Sequence, residues 1–277
     1  MVSAEPVEAS NPERDRLFHQ PAMSAPDRAR AMPRNVTIDC FRRRVPDYPG
    51  DYVIVAVDVM RATTTAVTAL VTGRRCFAVP DLDMAAEMSA RLENPLLAGE
   101  LGGNVPFGFD LDNSPAEVAH HPDTRRPLVL LSSSGTQLMA EASQRWTTYA
   151  ACLRNCSAQI EYLIGRHDNV AILGAGTRGE FREEDQLCCA WIADALIRVG
   201  YTPDAATSDV VCRWGRAPAS DLLVSKSVAY LRATGRDEDL DFILGHIDDV
   251  ASCFAVCDGE VLALPAAVAS GDVSGAS

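Results

Sequence analysis

The sequence predicts an α/β protein with a mostly parallel sheet flanked by helices. Short apolar runs rich in branched residues alternate with helix-length segments along most of the chain. Several of these runs end in glycine, hydroxyl or carboxylate tips, as strands do when they feed a crossover helix. One run, Val53-Ile54-Val55-Ala56-Val57, is apolar at every position, the pattern of a strand covered on both faces.

The elements follow in order. Asn35 to Cys40 reads as a first strand. Val53–Val59 is the second, and a helix is expected from about Ala62 to Gly73. Cys76–Val79 is a short strand and Asp81–Leu92 a helix. Leu96–Ala98 is a strand ending at Gly99-Glu100. Asn113-Ser114-Pro115 starts a helix, with a capping side chain ahead of a proline in the first turn. Leu128–Leu131 is a strand ending in Ser132-Ser133-Ser134-Gly135-Thr136, followed by a helix. Thr147–Ala151 is a strand, and Asn155 is placed to cap a helix reaching about Arg166. Val170–Leu173 is a strand ending in Gly174-Ala175-Gly176-Thr177-Arg178-Gly179, and a long helix runs from about Glu183 to Val199. Two helices, Leu222–Ala233 and Glu238–Gly245, come next. A hairpin with Asp258-Gly259 at its turn closes the pattern.

A length of 277 residues allows one large domain or two subdomains. Residues 1–33 carry Pro, Ser, Ala, Glu and Arg without periodicity and read as a disordered leader. Residues 34–264 form the folded domain, and residues 265–277 a flexible tail. The net charge of −13 argues against general binding to nucleic acid or an anionic membrane. No apolar run approaches a membrane span, and the N-terminus has no signal-peptide core. The expectation is a soluble cytoplasmic protein acting on a small molecule, with room for a homo-oligomer. Nine cysteines contain no CxxC and no zinc spacing with histidine, so they are expected to be reduced thiols filling the core.

The strand tips bring the chemistry together. Asp58 and Arg61 follow the second strand, and Thr63-Thr64-Thr65 open the next helix, where hydroxyls and unpaired N–H groups suit an anion. A carboxylate does not suit an anion unless a cation lies between them. Glu100, Ser134-Gly135-Thr136 and Arg178 sit at other tips. Asp110 and Asn113 lie in a polar loop, and Glu184-Asp185 start a helix. In a parallel sheet these tips converge on one edge. Asp58, Glu100, Asp110, Glu184 and Asp185 are hard oxygen donors of the kind that bind Mg2+, which can neutralise a phosphoryl group and activate water. Arg61 and Arg178 would help an acidic protein hold an anionic substrate. Gly174 to Gly179 also fits G-x-G-x-x-G, which alone would suggest a nucleotide-binding oxidoreductase. The acids that follow at once would repel a pyrophosphate. The histidines share no helical face with carboxylates.

Asp58-Val59-Met60-Arg61-Ala62-Thr63-Thr64-Thr65 resembles the D-V-x-R-A-T-T-T signature of the 2-phosphosulfolactate phosphatase family. Ala98-Gly99-Glu100 resembles its A-G-E, and Gly108-Phe109-Asp110 to Asn113-Ser114-Pro115 its G-F-D-x-x-N-S-P. Gly176-Thr177-Arg178-Gly179 and Glu184-Asp185 with Cys188 are similar to its G-T-x-G and E-D-x-x-C. Ser132-Ser133-Ser134-Gly135-Thr136 stands where that family usually has T-T-N-G-T, so Ser134 replaces an amide with a hydroxyl. The order and spacing agree from about residue 35 to 255. The resemblance implies a three-layer α/β fold and a Mg2+-dependent phosphatase of 2-hydroxy-acid phosphate monoesters. The family's namesake substrate is 2-phospho-3-sulfolactate, of coenzyme M biosynthesis. It also implies catalytic roles for Asp58, Arg61, Glu100 and Asp110, and substrate contacts from Thr63, Thr64, Asn113, Ser134, Gly135, Thr136 and Arg178. A noncatalytic relative that binds an anionic metabolite is a third reading.

Overall fold

The computed structural model describes residues 33–40, 45, 47–177 and 179–264. The expected tail, the expected leader up to residue 32, and Arg178 lie outside these residues. In chain order the elements are β1 (Asn35–Cys40), β2 (Tyr52–Val57), α1 (Ala62–Val71), β3 (Cys76–Val79), α2 (Leu82–Arg91), β4 (Leu96–Gly99), α3 (Pro115–His120), β5 (Leu128–Leu131), α4 (Gly135–Ser143), β6 (Thr148–Ala151) and α5 (Cys156–Leu163). They continue with β7 (Asn169–Gly174), α6 (Glu183–Arg198), β8 (Thr202–Pro203), α7 (Ala205–Trp214), a 3-10 helix (Ala219–Val224), α8 (Lys226–Ala233), α9 (Asp237–Gly245), β9 (Cys253–Cys257) and β10 (Glu260–Leu264).

Alternation along the central strands explains the three layers. In β2, Val53, Val55 and Val57 face one apolar cluster, built with α5 and α6. Ile54 and Ala56 face the other, built with α1 and α4. β7 does the same, with Val170 and Ile172 on the first side and Ala171 and Leu173 on the second. A strand buried on both faces cannot alternate apolar with polar residues, so its sequence is a continuous apolar run.

The ten strands lie in the order β4-β5-β3-β10-β9-β6-β2-β7-β1-β8. Parallel pairing holds within β4-β5-β3 and within β6-β2-β7-β1-β8. The β9–β10 hairpin separates the two blocks and pairs antiparallel to both. Asp258 and Gly259 form its turn at positive φ, as the Asp-Gly pair predicts. The blocks therefore run in opposite senses, and no single parallel edge gathers the tips. The join between β10 and β3 is two residue pairs wide, Glu260–Phe77 and Val261–Cys76. Twist accumulating across so narrow a join can turn one block against the other.

Most expected elements stand within a residue or two of their predicted bounds. Two regions differ. The segment 205–214 carries no element in the sequence pattern but is α7, capped by Asp204, whose side chain accepts from the Thr207 N–H at 2.7 Å. The expected helix from Leu222 is instead a 3-10 turn followed by α8, which restarts where the Ser225 hydroxyl accepts from the Val228 N–H. Asn155 holds the N-cap position of α5, yet its side chain serves the preceding loop, accepting from Cys152 N–H at 2.9 Å. The structure assigns none of the nine cysteines to a disulfide, and only Cys212 is exposed. Among the described residues no helix is long and apolar enough to cross a membrane.

Candidate active site

The register of the strands sets the site. Val57 of β2 pairs with Gly174 of β7, so Asp58 and Ala175 leave the sheet side by side. Gly99 of β4 pairs with Leu131 of β5, so Glu100 and Ser132 leave together in the other block. The two exits meet at Gly135. A Cβ added there would lie 2.1 Å from Asp58 Oδ2 and 2.7 Å from Ala62 Cβ, so only glycine lets the α4 start approach the Asp58 loop this closely. A cleft of about 1070 Å³ opens between the blocks. The β2 exit contributes Asp58, Met60 and Arg61, the other block Glu100, Gly102, Gly103, Asn113, Ser133 and Ser134, and the β7 exit Ala175, Gly176, Thr177 and Gly179. Arg182, Lys226, Ser227, Tyr230 and Leu231 complete the wall.

Asp58 is held by the threonines that follow it. Its N–H donates to Thr63 Oγ1 at 2.9 Å, and Thr63 Oγ1 donates to the Asp58 carbonyl at 2.8 Å. Thr64 Oγ1 donates to the Val59 carbonyl at 2.8 Å. These hydroxyls satisfy the carbonyls of the loop, and neither lines the cleft. The same holds for Thr136, whose hydroxyl accepts from Ser132 N–H at 2.8 Å and is fully buried. The sequence could not separate a hydroxyl cradle for phosphate from hydroxyls that brace a loop. The geometry here is the second, and it sets the aim of Asp58. Burial pushes the Asp58 carboxyl up to about 7, and the charges of Glu100 and Glu184 push the same way. The Ala62 N–H bond and Arg61 oppose them.

Glu100 is anchored by N–H donors. Its Oε1 accepts from Ser133 N at 2.8 Å, and its Oε2 accepts from Gly103 N at 2.8 Å and Ser133 Oγ at 3.0 Å. Asp185 is a brace behind the cleft. Its two oxygens accept from Val59 N–H at 2.9 Å and Gly176 N–H at 3.0 Å, tying the β2 exit to the β7 exit. Burial raises its pKa well above the ordinary value, and Asp58 and Glu184 add to the shift. Glu184 is also buried and shifted upward by desolvation. Its Oε2 has no partner, nor has Asn113 Oδ1. A buried acceptor without a donor is rare enough to need a reason.

Arg61 lines the cleft, but both terminal nitrogens are occupied. Nη1 meets Asp239 at 2.5 Å and Nη2 meets Asp112 at 3.0 Å. Arg236 Nε pairs with the same Asp112 oxygen. Two cations and two anions thus form a quartet, buried except at Arg236, which is 23% exposed. Burial alone would lower the Arg61 pKa, and the two carboxylates outweigh it. Asp239 also accepts from Ser114 Oγ and from Ala116 N–H, which pins α9 to the start of α3. The sequence points to Arg61 as a residue that helps hold an anionic substrate. In the structure it lines the cleft while its fork binds Asp112 and Asp239, 51 and 178 residues away.

Asp110 departs from the expected group. Its Oδ2 accepts from Leu97 N–H at 3.0 Å and from Arg126 Nη2 at 2.9 Å, which turns it toward the start of β5, and it does not line the cleft. The expected five-carboxylate metal cage is therefore not assembled. Among the described residues, no three His, Cys, Asp or Glu side chains are grouped to hold a metal. Asp58 and Glu100, which both face the cleft, fit a cation that takes few carboxylates and keeps its waters, as Mg2+ does. The raised Asp58 carboxyl and the unpartnered oxygens mark a region short of positive charge.

The G-x-G-x-x-G loop does not open a helix. Thr177 and Glu180 close a turn with two backbone bonds, and α6 begins three residues later with three acids in its first turn. The Gly176 N–H that would meet a pyrophosphate is taken by Asp185. Sequence reasoning missed Asp112, Asp239 and Arg236, and also Arg182, Lys226, Ser227 and Tyr230. The last three come from a C-terminal helix that carries no motif, and only long-range packing brings it to the cleft.

Comparison with known proteins agrees with the motifs. Residues 41–251 match the family model described as 2-phosphosulpholactate phosphatase. A probable 2-phosphosulfolactate phosphatase of Pseudothermotoga lettingae is 41% identical over 145 residues, 52% of this chain and 62% of that protein. That match spans about three fifths of the relative's length. One of Caldicellulosiruptor saccharolyticus is 28% identical over 236 residues, 80% of this chain and 95% of the relative. One of Nostoc punctiforme is 35% identical over 146 residues, 51% of this chain and 59% of the relative. With residues from five of its motifs lining one cleft and the family match running through most of the chain, the protein belongs to the 2-phosphosulfolactate phosphatase family.

Proposed function

We propose that this chain is a Mg2+-dependent phosphatase that hydrolyses the phosphate monoester of a 2-hydroxy acid, 2-phospho-3-sulfolactate or a close relative. The observation that carries the reading is convergence. Asp58, Glu100, Asn113, Ser134 and Gly176, from five separate family motifs, line the same cleft. Asp58 and Glu100 would hold the cation, with Glu184 adding negative charge from behind. When bound, Mg2+ supplies charge neutralisation of the phosphoryl group and acidifies a bound water.

The chain's own residues do the rest. Asp185 and the α1 threonines hold the Asp58 loop rigid, so its carboxylate needs no reorganisation as the reaction proceeds. Asn113 and Ser134 line the cleft, and an amide N–H and a hydroxyl are donors suited to phosphoryl oxygens. The Arg61 quartet ties the Asp58 loop to α9 and to the α3 start. A cytoplasmic location is part of the same reading, and it rests on composition alone. The test is release of inorganic phosphate from a panel of phosphorylated 2-hydroxy acids, with Mg2+ and with a chelator. Mg2+-dependent turnover of at least one is expected. Full turnover under chelation would remove the cation, and no turnover of any would remove the phosphatase reading.

A further inference from the structure

Two cations in the cleft wall answer to no step of that chemistry. Arg182 holds the N-cap position of α6, and Lys226 is the first residue of α8. Positive side chains are unfavourable at helix N-termini, where the peptide dipoles already present partial positive charge. An anion between them would turn this liability into attraction. The structure holds such an anion in the Glu180 carboxylate. Its Oε2 meets Arg182 Nη1 at 3.0 Å and Lys226 Nζ at 2.9 Å. The two cations hold its pKa below the usual carboxylate range.

The arrangement is asymmetric. Arg182 is 15% exposed, whereas Glu180 is 55% and Lys226 67% exposed. Arg182 Nε is buried and has no partner, so its guanidinium is only partly engaged. Backbone bonds between Thr177 and Glu180 fix the turn, so the Glu180 side chain can swing out without moving the loop. A largely buried Arg182 is therefore paired with an acid and a lysine that both reach solvent and can part.

We propose that Arg182 and Lys226 form the subsite for a second anionic group of the substrate, and that Glu180 occupies it as an internal stand-in which the substrate displaces. The inference rests on the phosphatase reading and deepens it. It places the carboxylate or sulfonate of such a substrate, and not its phosphoryl group, against the starts of α6 and α8. It also makes Glu180 a competitor of the substrate, so removing this acid should improve binding.

Steady-state kinetics on Lys226→Ala and Glu180→Gln test it, with 2-phospho-3-sulfolactate and p-nitrophenyl phosphate as substrates. Loss of one charge-assisted contact corresponds to about tenfold in affinity or more. Lys226→Ala should raise KM for the sulfonated acid about tenfold, with a much smaller change for p-nitrophenyl phosphate. Glu180→Gln should lower KM for the acid and leave its kcat within about twofold. Equal effects on both substrates, or a KM that rises in Glu180→Gln, would overturn the subsite while leaving the phosphatase intact. Calorimetric binding of 3-sulfolactate gives a readout that needs no turnover. It should weaken in Lys226→Ala and tighten in Glu180→Gln, and binding unchanged in both variants overturns the inference even if the wild-type protein hydrolyses nothing.

Discussion

Replacing Asp58 by asparagine should stabilise the metal-free protein and inactivate it at once. The Asp58 carboxyl stands at about 7 against an ordinary 3.8. That gap corresponds to a gross penalty of about 4 kcal/mol for holding the ionised form in the fold, at about 1.4 kcal/mol per pH unit. Cleft water screens part of it, so the expected gain is roughly 1–3 kcal/mol. For a domain of this size, that is about 2–4 °C in Tm per kcal/mol. The sign follows from proton binding. A carboxyl with a raised folded pKa binds more protons folded than unfolded between about pH 4 and 7. The wild-type penalty is therefore complete above pH 7 and fades as the pH falls toward 4. The asparagine variant lacks it throughout, so its advantage should be largest at pH 8 and small at pH 4. Asparagine can still accept the Ala62 N–H bond. Saturating Mg2+ should raise the wild-type Tm, by about 2.7 kcal/mol of stability at a hundredfold excess over Kd, and should do much less for the variant. The assay is thermal melting at pH 4, 6 and 8, with chelator and with Mg2+. A variant that melts at or below wild type at pH 8 with chelator would refute the electrostatic account of Asp58.

Three further outcomes follow from contacts elsewhere. Arg61→Ala leaves Asp112 and Asp239 buried without their shared cation, so chemical denaturation should show a loss of about 3–5 kcal/mol, and a loss below about 1 kcal/mol would show that the quartet tolerates the change. Gly135→Ala drives a methyl into Asp58 Oδ2, and kcat should fall by more than tenfold while stability falls by about 1–3 kcal/mol; a fully active alanine variant would show that Asp58 need not hold its position. His167 is buried against the Tyr149 hydroxyl at 2.7 Å, and its pKa is lowered to about 4 by burial and by Arg166. Its contribution is complete above about pH 6.5 and lost as the pH falls through 4, so His167→Gln should flatten this part of the acid limb of the stability–pH curve, where wild type loses up to about 3 kcal/mol.

Much of the fold was legible because its signals are local. The continuous apolar run of β2, the Ser114-Pro115 start of α3 and the Asp258-Gly259 turn each fix an element within a few residues. What stayed hidden is long-range. Nothing in the hairpin sequence says that β9 and β10 divide the sheet into blocks of opposite sense. The site was legible as a set of carboxylates, but their division of labour was not. Asp185 serves two backbone amides, Asp110 serves Arg126, and only Asp58 and Glu100 face the cleft. The partners of Arg61, Asp112 and Asp239, stayed hidden because they come from distant parts of the chain. Lys226 and Arg182 carry no motif, and their meeting at Glu180 depends on how α8 packs on α9 and Met60.

The most direct test is phosphate release from 2-phospho-3-sulfolactate, comparing wild type, Asp58→Asn and Glu100→Gln at saturating Mg2+ and in excess chelator. Turnover by the wild type with Mg2+, its loss under chelation, and a drop of at least a hundredfold in kcat/KM for both variants are expected. Wild-type turnover unaffected by the chelator, or full activity in both variants, would contradict the placing of the chemistry on these two carboxylates.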